Sequence, residues 1–444
     1  MRSHSTPALT VSLLVLSAAT FAAQQPQTPA PDAPGRMVEL GSLHQAAVNT
    51  DPRLQQIQLL GAQSDLRLRN VAAGRLPSVS VDGQAQYQSD VATPILTGTG
   101  GRPLFSQPRA TVDSGLRVEQ RLFDATIGAQ DALERAQLAE QQARVRATLF
   151  GLRQQVSDAF FAAAMMAGRQ RALAVAVSDL AARLNETSER VREGAALPAE
   201  AATIEATLLQ RRQDEDQLRA ARQTALARLA IITGQAVTER DTLVMPDVTA
   251  AVGRARQASG ELRARPEYDL FARTRDRLAT QQDLTAAQER PRVSGFAKVG
   301  FGRPGLNFVS DQFDSYGLGG VRVQWNAWTW GSGGRERQAL ALQQQIVAAD
   351  QAAFARGLDQ STEGDAATID RLHAALALDD RIIALREQIE GSTQARFQEG
   401  VVTASDLVDR SGELLQARLA RVAHQVELAQ AGARLLTTLG LEVR

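Results

Sequence analysis

The sequence has no cysteine, which removes disulfides, thiolate metal sites, cysteine nucleophiles and a lipid-modified N-terminal cysteine together. Lysine is almost as scarce. Lys298 is the only one, and arginine supplies the rest of a positive charge that balances the acids to a formal net charge of zero. A chain so balanced, with no basic stripe, gives no reason to expect nucleic acid. Aromatic residues make up 4% of the chain, yet Trp325, Trp328 and Trp330 stand within six residues of one another, which asks for an interface. No stretch beyond the N-terminal leader approaches the roughly 18–20 apolar residues of a spanning helix. Any membrane location therefore has to come from strands.

Motifs of chemistry are missing as well. There is no P-loop, no dinucleotide fingerprint and no nucleophile elbow. His4 falls in the leader, and His44, His373 and His424 fall on separate predicted helices without a ligand partner at metal spacing, so they read as surface or packing residues. Asp379-Asp380 and the run Gln213-Asp214-Glu215-Asp216 read as solvated helix faces. Nothing here predicts an enzyme, a cofactor or a metal.

What the chain does have is a duplication. RVREGAALPAEAATI at 190–204 and RFQEGVVTASDLVDR at 396–410 share one order of charged residue, Glu-Gly, small residues and acid, with their glycines 206 positions apart (400 − 194 = 206). The copies run on in step to ALARLAIITG, ending at Gly234, and AGARLLTTLG, ending at Gly440. Each half thus predicts a long helix that reverses at a glycine and returns. Gly194 and Gly400 supply the left-handed residue that ends a helix. Pro198 suits the first turn of one returning helix, and Thr403 with Asp406 reads as a capping pair for the other. Both returns begin with an acid, Glu200 in one and Asp406 with Asp409 in the other.

The opening residues predict a secretory signal peptide over 1–23, from Arg2, a short apolar run and small residues before Gln24. A Pro-rich linker follows over 24–36. The first repeat then covers 37–235, with helical periodicity from Met37, a helix start at Asp51-Pro52, a stop at Leu76-Pro77, a β-hairpin over 76–123 and a tip at 190–200. A connector over 236–253 is expected to pack across the middle of the helices. The second repeat covers 254–444, with Arg265-Pro266 and Arg290-Pro291 at matching places, a hairpin over 291–327 and a tip over 396–409.

The hairpins are recognised by a change of period from about 3.6 to 2. Val79, Val81, Gly83, Ala85 and Tyr87 alternate with Ser78, Ser80, Asp82, Gln84 and Gln86. After a loop marked by Gly98, Gly100, Gly101, Pro103 and Pro108, Val112, Leu116, Val118 and Leu122 oppose Asp113, Arg117, Glu119 and Arg121. In the second half Val293, Ala297, Val299 and Phe301 alternate with polar residues, although Phe296 falls on the polar face. Tyr316 and Leu318 have the opposite parity to Val321, Val323 and Trp325, which predicts a bulge near Gly319-Gly320.

Between hairpin and tip run helices of about 70 residues, on the order of 100 Å long. Leu173, Val177, Leu180, Leu184 and Val191 follow a four-three stride with Thr187 in the remaining place, and the last helix repeats it from Val408 to Leu436. Four amphipathic strands cannot close a membrane barrel, which needs about eight or more, and open edges are not tolerated in lipid. A barrel must therefore be shared. Two chains give eight strands and three give twelve, and the pattern does not choose. Trp325, Trp328, Trp330 and, in the first half, Phe123 stand where the strands return to the helices, either as an aromatic belt or as a packed cluster.

In this ordered, duplicated set the chain resembles the TolC-like outer-membrane factors. The likeness covers everything after the linker: the X-Pro helix starts, the Leu-Pro approach to the first strand, both hairpins and the paired tips. The resemblance implies an α+β membrane protein, a homotrimer with a shared twelve-stranded outer-membrane β-barrel continued by an α-helical coiled-coil barrel in the periplasm. It implies an exit duct of a tripartite efflux pump, with outer-membrane lipid around the barrel and a periplasmic adaptor and inner-membrane transporter at the tips. Docking would centre on Glu193, Gly194, Glu399, Gly400 and Thr403. In some members two acids three residues apart line the entrance, and Asp406 and Asp409 have that spacing. Members with that ring can carry an arginine near the second tip glycine, held to an acid at the place of Glu200. Val402 occupies the arginine's place here, leaving Arg396 or Arg410 to serve. The same architecture serves type I protein secretion. A soluble periplasmic scaffold or adaptor is the reading from another class, and the four amphipathic strands argue against it.

Overall fold

The computed structural model describes residues 35–91, 108–257, 264–306 and 312–443. The predicted signal peptide, nearly all of the linker and the loop marked by Gly98, Gly100, Gly101 and Pro103 lie outside them.

The chain starts with a short strand, β1 (Met37–Glu39), where helix was expected from Met37 onward. Its backbone is claimed by the connector: β1 pairs in parallel with β4 (Thr242–Val244), and Arg36 N–H donates to Asp241 Oδ1 at 2.9 Å. Helix α1 (Leu40–Thr50) buries Leu40, Leu43, His44, Ala46 and Ala47, the face set by its periodicity. Asp51-Pro52 breaks the chain as predicted, with Asp51 Oδ1 accepting from Arg53 N–H at 2.8 Å. Helix α2 (Arg53–Ala73) then delivers the chain to the sheet.

β2 (Ser78–Tyr87), β3 (Ala110–Phe123), β5 (Arg292–Arg303) and β6 (Asp314–Gln324) form one antiparallel sheet in the order β2-β3-β5-β6. Two hairpins are thereby joined through their inner strands. The outer edges of β2 and β6 have no partner among the described residues. The expected bulge at Gly319-Gly320 does not form: β6 stays in register with β5 from Asp314 to Gln324. Glycine explains why. Tyr316 faces Gly300 and Phe296 faces Gly320 across the strands, and a Cβ on either glycine would stand 2.6 Å and 3.2 Å from those rings. Both aromatics thus lie flat on the polar face without any change of register. The irregularity lies instead between Arg121 and Phe123, at the end of β3 nearest the helices.

The first long helical stretch is divided at Gly151 into α3 (Ala125–Phe150) and α4 (Leu152–Arg192). Gly151 keeps helical angles, but its N–H reaches Ala147 O at 3.4 Å, a stretched bond at a residue that costs about 1 kcal/mol in a helix interior relative to alanine. Its counterpart α8 (Ser332–Gln398) runs unbroken for 67 residues. Helices α5 (Pro198–Thr233) and α9 (Ala404–Thr438) return from the two tips, antiparallel to α4 and α8. Leu173 and Leu180 are buried, Val177 and Leu184 pack beside them, and Thr187 fills its place in the stride at 1% exposure. No described helix is long and apolar enough to cross a membrane.

The largest core sits at mid-height. Val156, Phe160 and Phe161 of α4 meet Leu229 of α5 and Leu435 and Leu436 of α9 there. The connector seals it with Val237, Val248 and, from α6 (Thr249–Gln257), Val252 and Ala255. Small residues set the helix spacing: a Cβ on Gly168 would stand 2.6 Å from Val422 of α9. The remaining helix α7 (Pro266–Gln288) starts at Pro266 and feeds β5.

Candidate functional site

The two tips are built alike. Gly194 and Gly400 have φ of +73° and +75°, so each long helix ends in the left-handed turn that glycine adopts without strain. Ala195 N–H donates to Arg190 O at 2.7 Å and Val401 N–H to Arg396 O at 2.8 Å, satisfying carbonyls the helix end leaves open. Pro198 begins α5, and Glu200 Oε2 accepts from Leu197 N–H at 3.2 Å. At the other tip Thr403 Oγ1 accepts from Asp406 N–H at 3.2 Å, while Asp406 Oδ2 accepts from Thr403 N–H at 3.0 Å and Thr403 Oγ1 at 2.7 Å. Leu180, Ile204, Leu208, Phe397, Ala404 and Leu407 form a small core directly behind both turns.

Asp406 is thus committed to its helix start. Its carboxyl is held below the usual range by the Thr403 hydroxyl and backbone N–H, with Arg410 and Arg396 adding positive charge. Asp409, one turn further, is exposed, and its carboxylate is unpaired among the described residues. Arg410 does not turn to Glu200. It bonds both oxygens of Glu413 at 2.9 Å, and Arg386 of α8 shares that carboxylate. Glu193, Glu399 and Thr403 are exposed around the turns. So are two apolar residues that were not singled out from the sequence, Leu197 at 67% and Val401 at 61%. Their positions within the turns, off the four-three stride, were the available signal.

The sheet presents two unlike faces. Val79, Val81, Val299, Val321 and Val323 are exposed on one, while Asp82, Asp113, Arg117, Glu119 and Lys298 share the other. At the helix end of the sheet Phe123, Trp325, Trp328 and Trp330 are all exposed, which excludes a packed cluster within the chain. The Trp328 and Trp330 rings meet edge to face at 5.8 Å, and Trp325 Nε1 donates to Glu289 O at 3.0 Å. Trp330 takes φ of +53°, unusual for a bulky residue, and Gly331 follows at +72°. At the loop end a second aromatic group was not anticipated. Tyr87 is exposed there, and the rings of Phe301 and Phe313 stack 5.5 Å apart. Phe301 lies eight residues from Val293, about 26 Å along the strand, and Val293 is the partner of Phe123.

Among the helices, Asp379 is buried against His424 at 2.6 Å, so the acidic pair at 379–380 is only half a solvated face. Asp380 bonds Arg421 at 2.6 Å. The run at 213–216 meets arginines of its own helix, Asp214 with Arg211 and Asp216 with Arg219. His44 is buried in a hydrogen bond with Ser157 at 3.0 Å. No cluster of His, Cys, Asp and Glu among the described residues could hold a metal.

No protein-family model matches the chain, and no curated protein matches it by sequence. Solved structures do. The outer membrane protein VceC of Vibrio cholerae aligns over 91% of this chain and 97% of its own, with a TM-score of 0.65 and 17% identity. CusC, described by its conformational changes during folding and transmembrane channel formation, covers 94% and 98% at a TM-score of 0.69 and 14% identity. The open state of the Neisseria gonorrhoeae MtrE outer membrane channel covers 91% and 89% at 0.62 and 16%. The resemblance carried by the duplicated hairpins and tips therefore holds in three dimensions, and the chain has the fold of the TolC-like outer-membrane factors.

Proposed function

We propose that the chain is the outer-membrane exit duct of a tripartite efflux pump, a passive conduit that three copies build together. The observation that carries this reading is the sheet: four strands with unpaired edges, one apolar face exposed and aromatics at both ends. Backbone donors on such edges must be satisfied in lipid, and closure with further copies satisfies them. Three chains give twelve strands. The two aromatic groups are spaced for the two surfaces of an outer membrane, with the helices extending into the periplasm. α8 supports assembly as well, since Leu378, Ile382, Leu385 and Ile389 are exposed at a four-three-four spacing, the seam a neighbouring coil covers.

The tips then face the pump. Leu197 and Val401, with Glu193, Gly194, Glu399, Gly400 and Thr403 around them, offer an adaptor a small apolar and charged surface, and Asp406 with Asp409 lie at the mouth the helices enclose. An inner-membrane transporter supplies the drive. The test is fractionation followed by single-channel recording of the purified chain in a planar bilayer. Outer-membrane recovery with discrete conductance is expected. Recovery as a soluble protein without conductance would leave a periplasmic scaffold.

A further inference from the structure

The only lysine of the chain lies on the polar face of the sheet, and it is almost hidden there. Lys298 is 8% exposed, with its Nζ 5.5 Å from the centre of the Tyr316 ring. It lies along the wall: Nζ reaches Asp113 Oδ2 on β3 at 2.5 Å, although the backbone partner of Asp113 is Gly302, four residues further along β5. A track of glycines makes that reach possible. A Cβ on Gly115 would stand 2.8 Å from Lys298 Cε, one on Gly302 3.2 Å from Asp113 Oδ1, and one on Gly300 2.6 Å from the Tyr316 ring. Tyr316 lies over Gly300 and donates its hydroxyl to the other Asp113 oxygen. Three side chains from three strands are thus folded down onto the sheet.

The same rule holds across the face. Arg117 Nε stands 3.1 Å from Asp82 Oδ2, an ion pair from β3 to β2, and Arg322 on β6 reaches across Phe296, 5.0 Å from its ring centre, toward Glu119 on β3 at 3.9 Å. At the helix end Arg121 meets Asp124 at 3.4 Å. Each of these charges lies beside an opposite one, closer than the Debye length of roughly 8 Å at physiological salt. Opposite charges that close present little field to a solute in the middle of a pore.

We propose that Asp113 and Lys298, held down by Tyr316, set the charge selectivity of the strand-lined section: paired, they leave its wall electroneutral, so that solutes of either sign pass. This rests on the conduit reading above. In that reading the pair recurs three times around the wall, and removing one member exposes three like charges at one height.

The test is the reversal potential of the full chain in a planar bilayer under a KCl gradient. Lys298→Met should raise the K⁺/Cl⁻ permeability ratio about twofold, Asp113→Asn should lower it by a similar factor, and the double variant should return to wild type, the size expected for three charges acting through water and salt. Comparison with wild type removes any contribution from acids at the tips. Wild-type reversal potentials in both conducting single variants would overturn the proposal, as would a double variant that keeps the shift of either single. A second route needs no substitution. Succinylation of the assembled wild-type channel, mapped to Lys298 as the sole lysine, should raise the ratio in the direction of Lys298→Met, and modification without a shift would sink the idea. Failure of the conduit reading itself looks different, because wild type would then carry no current.

Discussion

The guanidinium of Arg183 on α4 bonds the carboxylate of Glu390 on α8, with the two side chains only 13% and 14% exposed. Near it Gln398 donates to Glu186 at 3.3 Å, and Arg190 lies over the Phe397 ring at 5.6 Å. All three contacts join the long helix of one repeat to the long helix of the other, just behind the tips. They tie the two repeats together along one seam.

Removing one side of this pair leaves a charge largely out of water without its counter-charge. Full burial would cost roughly 3–5 kcal/mol, and the residual exposure here lowers that to about 2 kcal/mol for Glu390→Gln or Arg183→Met. The Arg183→Leu/Glu390→Leu variant should recover most of the loss, because two apolar side chains leave nothing unpaired. Thermal melting of the detergent-solubilised protein checks this. A double variant that melts as low as the two losses added together would show that the pair is not coupled.

The glycines at positive φ divide into two groups. A Cβ on Gly194 or Gly400 meets nothing within 4 Å, so alanine there costs only backbone strain, about 1–2 kcal/mol, and asparagine less. Gly234, at φ of +65°, is different: a Cβ would stand 2.8 Å from Thr50 Cγ2, and Thr50 is fixed by bonds to Ala46 O and Thr233 O. Gly234→Ala should therefore lower the melting temperature clearly more than Gly194→Ala. Equal shifts would mean that the packing at Gly234 relaxes freely. If the chain is the proposed trimeric duct, the larger effect of a tip substitution is expected in assembly, with Gly400→Val reducing crosslinking to an adaptor while the trimer persists.

Much of this fold is legible because local chemistry and tertiary structure agree. Gly194, Gly400, Pro198 and Thr403 do at the helix ends what their backbones and side chains do in any helix, and Thr187 completes a stride whose other members were already visible. Legibility fails where a partner distant in sequence decides. Met37 is a strand residue only because Thr242 lies beside it. Tyr316 has the wrong parity until Gly300 is known to face it, and Asp379 looks solvated until His424 arrives from α9. The Arg183–Glu390 and Asp113–Lys298 pairs each span more than 180 residues, and no local pattern announces them. The lone lysine on a polar strand face was the nearest thing to a signal.

His44 makes stability depend on pH. Burial, helped by the positive charge of Arg153, lowers its pKa from 6.5 to about 4. The folded state therefore holds the neutral ring that bonds Ser157, while the unfolded chain binds a proton below pH 6.5. The contribution is fully present above pH 6.5 and is lost as pH falls toward 4, about 3 kcal/mol in all. His44→Gln should flatten the fall of melting temperature between pH 7 and 4. Asp365, whose carboxyl burial pushes up beside Arg434, acts in the opposite sense and is common to both proteins. A variant whose melting curve keeps the wild-type slope would assign the acid sensitivity elsewhere.

Asp406 and Asp409 can be separated although they stand three residues apart. Asp406 caps α9 through Thr403, so its removal mixes two effects: loss of a helix start worth about 1 kcal/mol and loss of any charge at the mouth. Asp409 caps nothing. If three copies of each carboxylate line an entrance, Asp409→Asn should raise single-channel conductance or reduce cation preference while leaving the stability within about 0.5 kcal/mol of wild type, as for any exposed surface change. Thr403→Ala should do the reverse, lowering stability through the cap with the charges kept. Recording and melting both variants side by side decides the matter. Conductance that follows Thr403→Ala and ignores Asp409→Asn would make the second tip a structural hinge, and the constriction would then have to lie elsewhere along the helices.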